Sequence, residues 1–282
     1  MNHICAAIDL GSNNSRLIIA AHSKEGYKII KFSASSVRVG NNIVNNTLSH
    51  KAVERTIHVI QQQSKIMFSF HPKQFDCVCT AAFRIASKNA NSVLNQIYKL
   101  TKLKFRIIEP DEEIYFSALG CSEWITDNTW VVDMGGCSSE IALCRKINSR
   151  ISIIEWMSLP YGLFNFQDIH FKVPIYHHWT PLYLTAKRYS TVPSKIILSR
   201  SAIVLTAMKE IFGETSEFFN KFYDKHLLIK EIHKLHHLNP YNLRFLTKML
   251  SILPSNSVMI ANSGVKEGLI KNLIQQDSDL LY

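Results

Sequence analysis

Residues 7–20 read AIDLGSNNSRLIIA and residues 131–143 read VVDMGGCSSEIAL. Each is an apolar run, an aspartate, a glycine turn, a few small polar residues and an apolar return. Glycine lets the backbone N–H groups of a turn point into open space with no Cβ in the way. Successive N–H groups so arranged form a concave site for an anion such as phosphate. The candidate cradles are Gly11, Ser12 and Asn13 in the first turn and Gly135, Gly136, Cys137 and Ser138 in the second. Asp9 and Asp133, at the strand ends, repel a phosphate unless a cation lies between them. Mg²⁺ suits that place because it keeps waters while bridging a carboxylate to phosphate oxygens. One Asp-x-Gly turn carries little weight, being common. Two of them, about 124 residues apart, argue for a duplicated domain.

The elements that must hold these turns follow from periodicity. ICAAIDL (4–10) and RLIIAA (16–21) read as strands around the first turn, and GYKIIKFSASSVRVG as a third extended segment. Residues 49–70 carry apolar residues at helical spacing, with Ser49 as N-cap. FDCVC is a strand whose Cys77 and Cys79 read as core thiols; NSVLNQIYKLTKL (91–103) is a helix and KFRIIE a short strand. A helix over 110–125 starts on a proline with acids in its first turn. The second half repeats strand, turn and strand. It continues through strands at ISIIEWMSL and SKIILS, helices at SAIVLTAMKEIFG, LLIKEIHKLHHL and PYNLRFLTKMLSIL, and a final strand, turn and helix in SVMIANSGVKEGLI. The boundary between halves falls at 124/125, giving domains 1–124 and 125–282. The histidines of HKLHH (233–237) have metal-compatible spacing, but no cysteine or carboxylate accompanies them, so a solvated basic helix face is the better reading.

Composition bounds the rest. The 282 residues, 46% hydrophobic and 19% charged, can bury two cores. No apolar run reaches membrane-spanning length, and the start lacks the form of a signal peptide, so a cytoplasmic protein with six reduced cysteines is expected. The net charge is +10, and residues 51–106 hold ten Lys or Arg against Glu54 and Asp76. Such a surplus concentrates polyanions.

The two hairpins resemble the phosphate loops of the actin, sugar-kinase and heat-shock chaperone superfamily. Four further stretches narrow the resemblance to the exopolyphosphatase and guanosine-pentaphosphatase family: CTAAFRIAS (79–87), IIEPDEEIYFSALG (107–120), SLPYG (158–162) and NSGVKEGLI (262–270). The resemblance implies an α/β fold of two duplicated actin-like, ribonuclease H-like domains. Each has a mixed five-stranded sheet with flanking helices, and the active site lies in an interdomain cleft. It implies Glu112 as the general base, Arg84 as a phosphate-holding arginine, and Asp133, with Asp9, at a Mg²⁺ site. On this basis Glu113 points elsewhere, because neighbours on a helix do not share a face.

The implied activity is Mg²⁺-dependent release of terminal phosphate from polyphosphate or a guanine-nucleotide alarmone. The alternative is a binding protein for the same ligands that has lost turnover. No membrane and no specific nucleic-acid partner are implied, and the resemblance leaves room for a homodimer. The chain departs from the family at Cys137, which replaces a third glycine, and at Lys266, which replaces an arginine. It also departs in ILSRSAIVL (197–205), where Ala202 and Ile203 stand for a glycine-threonine turn, and around PYNLRFL.

Overall fold

Strand β1 (His3–Leu10) is buried from Cys5 onward, and β2 (Asn14–Ser23) returns antiparallel to it in a computed structural model that describes residues 3–23, 26–162, 164, 176–199, 201–235, 237–238 and 240–279. The register pairs Asp9 with Arg16 and Leu10 with Ser15, which closes the first turn. Strand β3 (Gly26–Ser36) extends the sheet antiparallel beyond β2. Helix α1 (His50–Ser69) buries Ala52, Thr56, Ile57, Val59, Ile60, Ser64 and Met67 along one face, as its spacing predicts. Ser49 is its N-cap residue, but through its carbonyl, which accepts from the N–H groups of Ala52 and Val53 at 3.0 Å. Strand β4 (Gln74–Cys79) lies parallel to β1 and leads into the one-turn helix α2 (Ala81–Ile85). Helix α3 (Ala90–Thr101), the two-residue β5 (Arg106–Ile107) and helix α4 (Pro110–Gly120) follow. The sheet order is β3-β2-β1-β4-β5.

The second sheet is built on the same plan. Strands β6 (Thr129–Met134) and β7 (Ser139–Ile147) pair antiparallel, with Asp133 opposite Glu140 and Met134 opposite Ser139. Strand β8 (Arg150–Leu159) lies outside β7. Helix α5 (Tyr176–Arg188), which the sequence reading missed, leads to β9 (Lys195–Leu198), parallel to β6. Helix α6 (Ala202–Phe212), β10 (Phe222–Asp224), α7 (Lys225–His233), α8 (Pro240–Ile252) and β11 (Ser257–Ile260) complete it. The order is β10-β11-β9-β6-β7-β8, so this sheet has six strands where five were expected. The addition is β10, three residues pairing antiparallel with β11. Its core joins Trp130, Tyr161, Trp179, Phe245, Met249 and the apolar residues of β6 and β9.

The last helix, α9 (Val265–Asp279), does not belong to this second unit. By contacts the chain divides into Met1–Gly120 with Val265–Tyr282, and Cys121–Gly264. The first division lies close to the expected 124/125 boundary, but 265–282 was expected with the second half. The physical reason is burial: Val265, Leu269, Ile270 and Leu273 pack with Ala7, Ile18, Ala20, Ile108 and Phe116 of the first unit. A Cβ built on Gly268 falls 1.9 Å from the Phe116 carbonyl oxygen, so α9 and α4 touch backbone to side-chain-free backbone. Among the described residues no helix is long and apolar enough to cross a membrane.

Candidate active site

The two turns are copies in detail as well as in sequence. Gly11 N–H donates to the Asn14 carbonyl at 3.0 Å, and Gly135 N–H to the Ser138 carbonyl at 2.9 Å. Within the first unit the turn is anchored from three sides. Ser12 Oγ, 3% exposed, accepts from the Ala82 N–H at the start of α2 at 3.2 Å. The Asn13 carbonyl accepts from the N–H groups of Val37 and Arg38 at 2.9 and 2.8 Å. Ser15 Oγ donates to Gln63 Oε1 at 2.6 Å while Gln63 Nε2 returns a bond to the Ser15 carbonyl, so α1 holds the far end of the turn.

Helix α2 carries Arg84, whose Nη1 donates to the Ile108 carbonyl at 2.6 Å and to Glu113 Oε2 at 2.8 Å. This pair is largely enclosed, the Arg84 and Glu113 side chains being 14% and 8% exposed. Burial pushes the Cys79 thiol at the end of β4 up, with Arg84 opposing and Asp9 and Glu113 adding to the effect. Helix α2 itself starts at the Ala82 N–H bond to Ser12 Oγ, and this is what sets Arg84 and its partner Glu113 beside the first turn.

Glu112, expected as the general base, has a different partner. Its carboxylate pairs with Arg106 Nη1, and Arg106 Nη2 also donates to Asp76 Oδ2 at 2.9 Å. Burial opposes the Arg106 charge, but the bonds to Asp76 and Glu112 outweigh it and raise its pKa. Glu112 lines an open concavity with Phe75, Asp76, Arg106 and Tyr115. The rule that adjacent helical residues diverge was right. Glu113 is the one that pairs with Arg84, and Glu112 the one that pairs with Arg106. Glu113 shares its face with the buried Phe116, Ser117 and Gly120, whereas Asp111 is exposed and Glu112 half-exposed. On sequence alone the two are not told apart, since Glu112 has Tyr115, Phe116 and Leu119 at the same spacings where Glu113 has Phe116, Ser117 and Gly120.

The aspartates also separate. Asp9, expected at a metal, is 4% exposed and paired with Arg16, Nη1 to Oδ2 3.0 Å. In the second unit the residue at Arg16's place is Glu140, directly opposite Asp133. Residues opposite one another on antiparallel strands share a face. Two carboxylates therefore stand side by side beneath the second turn. Glu140 is fully buried and its Oε1 accepts from Ser158 Oγ at 3.0 Å. The oxygens of Asp133 and Glu140 are of the kind that could hold Mg²⁺. Sequence reasoning passed over Glu140, although it follows the turn by two residues.

SLPYG turns out to be the support of the second turn. Ser139 Oγ donates to the Tyr161 carbonyl at 2.8 Å, and Phe164 N–H donates to the Gly136 carbonyl at 2.8 Å. A Cβ on Gly162 would fall 2.5–2.6 Å from the Gly136–Cys137 peptide, so only glycine permits this approach. Cys137 is 3% exposed, and its φ lies outside the left-handed region, as do those of Gly135 and Gly136. The altered segment at 197–205 begins α6 with Ser201, whose Oγ accepts from the Val204 N–H at 3.3 Å. A serine cap thus starts the helix where Ala202 and Ile203 replace the expected turn.

Comparison with known proteins agrees with this arrangement of strands, turns and helices. The chain belongs to the Ppx/GppA phosphatase family, whose model matches residues 18–176. A bifunctional 3-dehydroquinate synthase/phosphatase of Fusobacterium nucleatum is 31% identical over 166 residues, 54% of this chain and 25% of that protein. A guanosine-5'-triphosphate,3'-diphosphate pyrophosphatase of Aliivibrio fischeri is 28% identical over 146 residues, 51% of this chain and 29% of that one. The chain thus corresponds to roughly a quarter to a third of the length of the curated relatives it matches. Among solved structures, an exopolyphosphatase from Cytophaga hutchinsonii superposes with a TM-score of 0.82 at 15% identity, covering 97% of this chain and 98% of that one. An Aquifex aeolicus member of the Ppx/GppA family does so with a TM-score of 0.76 at 21% identity, over 98% and 99%. At these identities the likeness is one of fold.

Proposed function

We propose that the protein is a phosphoanhydride hydrolase that releases terminal phosphate from inorganic polyphosphate or from a guanosine pentaphosphate alarmone. The observation that carries this reading is the buried Arg84–Glu113 pair beside the first phosphate turn, at 2.8 Å. A buried carboxylate fixed by a guanidinium is placed to take a proton from an attacking water, and the same guanidinium gives the transferring phosphoryl group a positive neighbour. Backbone N–H groups of the two glycine turns other than those of Gly11 and Gly135, which close the turns, would supply fixed donors for phosphate oxygens at no reorganisation cost during the reaction. Asp133 and Glu140 would hold Mg²⁺, which supplies charge neutralisation at the phosphoanhydride oxygens. Asp9 keeps Arg16 in place at the base of the first turn.

The test is phosphate release from long-chain polyphosphate and from the alarmone, with and without Mg²⁺. Glu113→Gln should lower turnover by about 10²–10⁴, the usual worth of a positioned base, while ligand affinity stays within a few fold. Glu112→Gln should retain most activity. If Glu112→Gln is the inactive variant, the base assignment is wrong. If the wild-type protein binds both compounds and hydrolyses neither, it is a binding protein. Asp133→Asn should raise the Mg²⁺ concentration required, and an unchanged titration would remove Asp133 from the metal site.

A further inference from the structure

His3 and His22 are direct partners in the β1–β2 ladder, far along the sheet from the glycine turn that joins the two strands. Their side chains therefore share a face, and the rings meet edge to face with centroids 5.3 Å apart. Helix α9 crosses that face and brings Asp277 to both rings: Oδ2 lies 2.9 Å from His3 Nδ1 and 3.4 Å from His22 Nε2. The three ligand atoms lie within 4.8 Å of one another. The side chains are 34%, 13% and 19% exposed for His3, His22 and Asp277, so the cluster is sheltered yet open on one side. The other carboxylate oxygen, Oδ1, accepts from Gln74 Nε2 of β4 at 3.3 Å.

We propose that His3, His22 and Asp277 form a zinc site that fastens the end of α9 to the first sheet. Two imidazole nitrogens and one carboxylate oxygen are a donor set that Zn²⁺ takes at about 2.0–2.2 Å in tetrahedral geometry. Tetrahedral ligands at such bond lengths lie about 3.3–3.5 Å apart; the two histidine–carboxylate spacings are 2.9 and 3.4 Å and no pair of the three atoms exceeds 4.8 Å, so side-chain rotation brings them to a common ion. Both histidines converge on one oxygen, while Gln74 holds the other and fixes the carboxylate plane. An outer amide of this kind is a recurrent partner of metal-binding carboxylates. The open side leaves the fourth position to water. A hydrogen-bonded His–Asp–His latch with no metal is the competing account of the same geometry, and it predicts no bound metal.

The experiment uses the full chain, stripped with chelator and titrated with zinc alone against a competing chromophoric chelator. One zinc per chain is expected, with a rise in melting temperature. Cobalt(II) in its place should give the intense visible absorption of a tetrahedral site. His22→Ala and Asp277→Asn should each abolish the stoichiometric binding and the thermal shift. Gln74→Ala should fold normally and weaken zinc by about tenfold or more, the usual loss from an outer-shell partner. Circular dichroism would establish that the variants remain folded; should His22→Ala not fold, Gln74→Ala and the cobalt spectrum decide. No stoichiometric zinc, or zinc held equally by wild type and all three variants, would overturn the proposal.

Discussion

At the scale of single residues, the chain shows how far one atom can redirect a reading. Cys137 stands where the family pattern has glycine, and the turn tolerates it because no left-handed torsion is needed there. Cys137→Gly should therefore destabilise the protein by roughly 0.4–1 kcal/mol through unfolded-state entropy, plus whatever packing the thiol provides. A melting temperature above wild type would contradict this. Other buried thiols carry a pH signature. Burial raises Cys144 from the ordinary 9.0 to about 12, and burial with the nearby Asp277 charge raises Cys5 to about 11. A thiol protonated when folded and ionised when unfolded contributes stability that is present below pH 9 and lost as pH rises from there toward the folded value. Denaturant titrations between pH 8 and 10.5 should show stability falling, and Cys144→Ala should flatten the slope, taken relative to its own value at pH 8.

At the scale of elements, most strands and helices were legible, because alternation and helical spacing are local signals. Ser49, the strands of both hairpins and the helices at 50–69 and 90–101 fell where periodicity placed them, and the last helix, expected within 257–270, runs on to 279. What was not legible depended on partners distant in sequence. Strand β10 exists because β11 offers an edge to three residues. Helix α5 has Pro181 inside it and a flanking proline pattern that reads as loop. The choice between Glu112 and Glu113 required knowing which side of α4 meets Arg84. Two glycines test the element-level account. Gly268→Ala should force α4 and α9 apart and cost about 1–3 kcal/mol or more, seen as a lower denaturant midpoint. Gly162→Ala should displace the Gly136–Cys137 peptide and weaken phosphate binding, which calorimetry with phosphate would report. Wild-type affinity in a folded Gly162→Ala protein would show that this contact is dispensable.

At the scale of the whole molecule, the basic stretch 51–106 read as one feature divides between elements, and Arg38, from outside it, joins its first members. Arg38, Lys51 and Arg55 line a concavity of about 430 Å³ with His50 and Asn41, and the Arg38 N–H is bonded to the first phosphate turn at Asn13. Lys99, Lys102 and Lys104 are exposed around the end of α3, with Lys102 in a left-handed C-cap. Only the first group is tied to the turn. Lys51→Ala should weaken long polyphosphate more than a short triphosphate, with a shallower dependence on salt, while the triple change at Lys99, Lys102 and Lys104 should act on both alike. The reverse pattern would place the chain-binding track on α3.

Helix α9 has a further consequence, for the order of events in folding. The first unit contains β1 at one end of the sequence and α9 at the other, with 121–264 between them. During synthesis the sheet around β1 waits, its Ala7, Ile18 and Ala20 face uncovered, until that intervening unit has left the ribosome. Residues 1–120 alone should therefore be prone to aggregate, and adding a peptide of 262–279 should rescue them in solution. The unit in the middle can finish first. Its ends are drawn together inside it, Cys121 Sγ lying 4.0 Å from the Ser263 carbonyl, so once it has folded the chain between α4 and α9 acts as a short loop and the closure entropy falls.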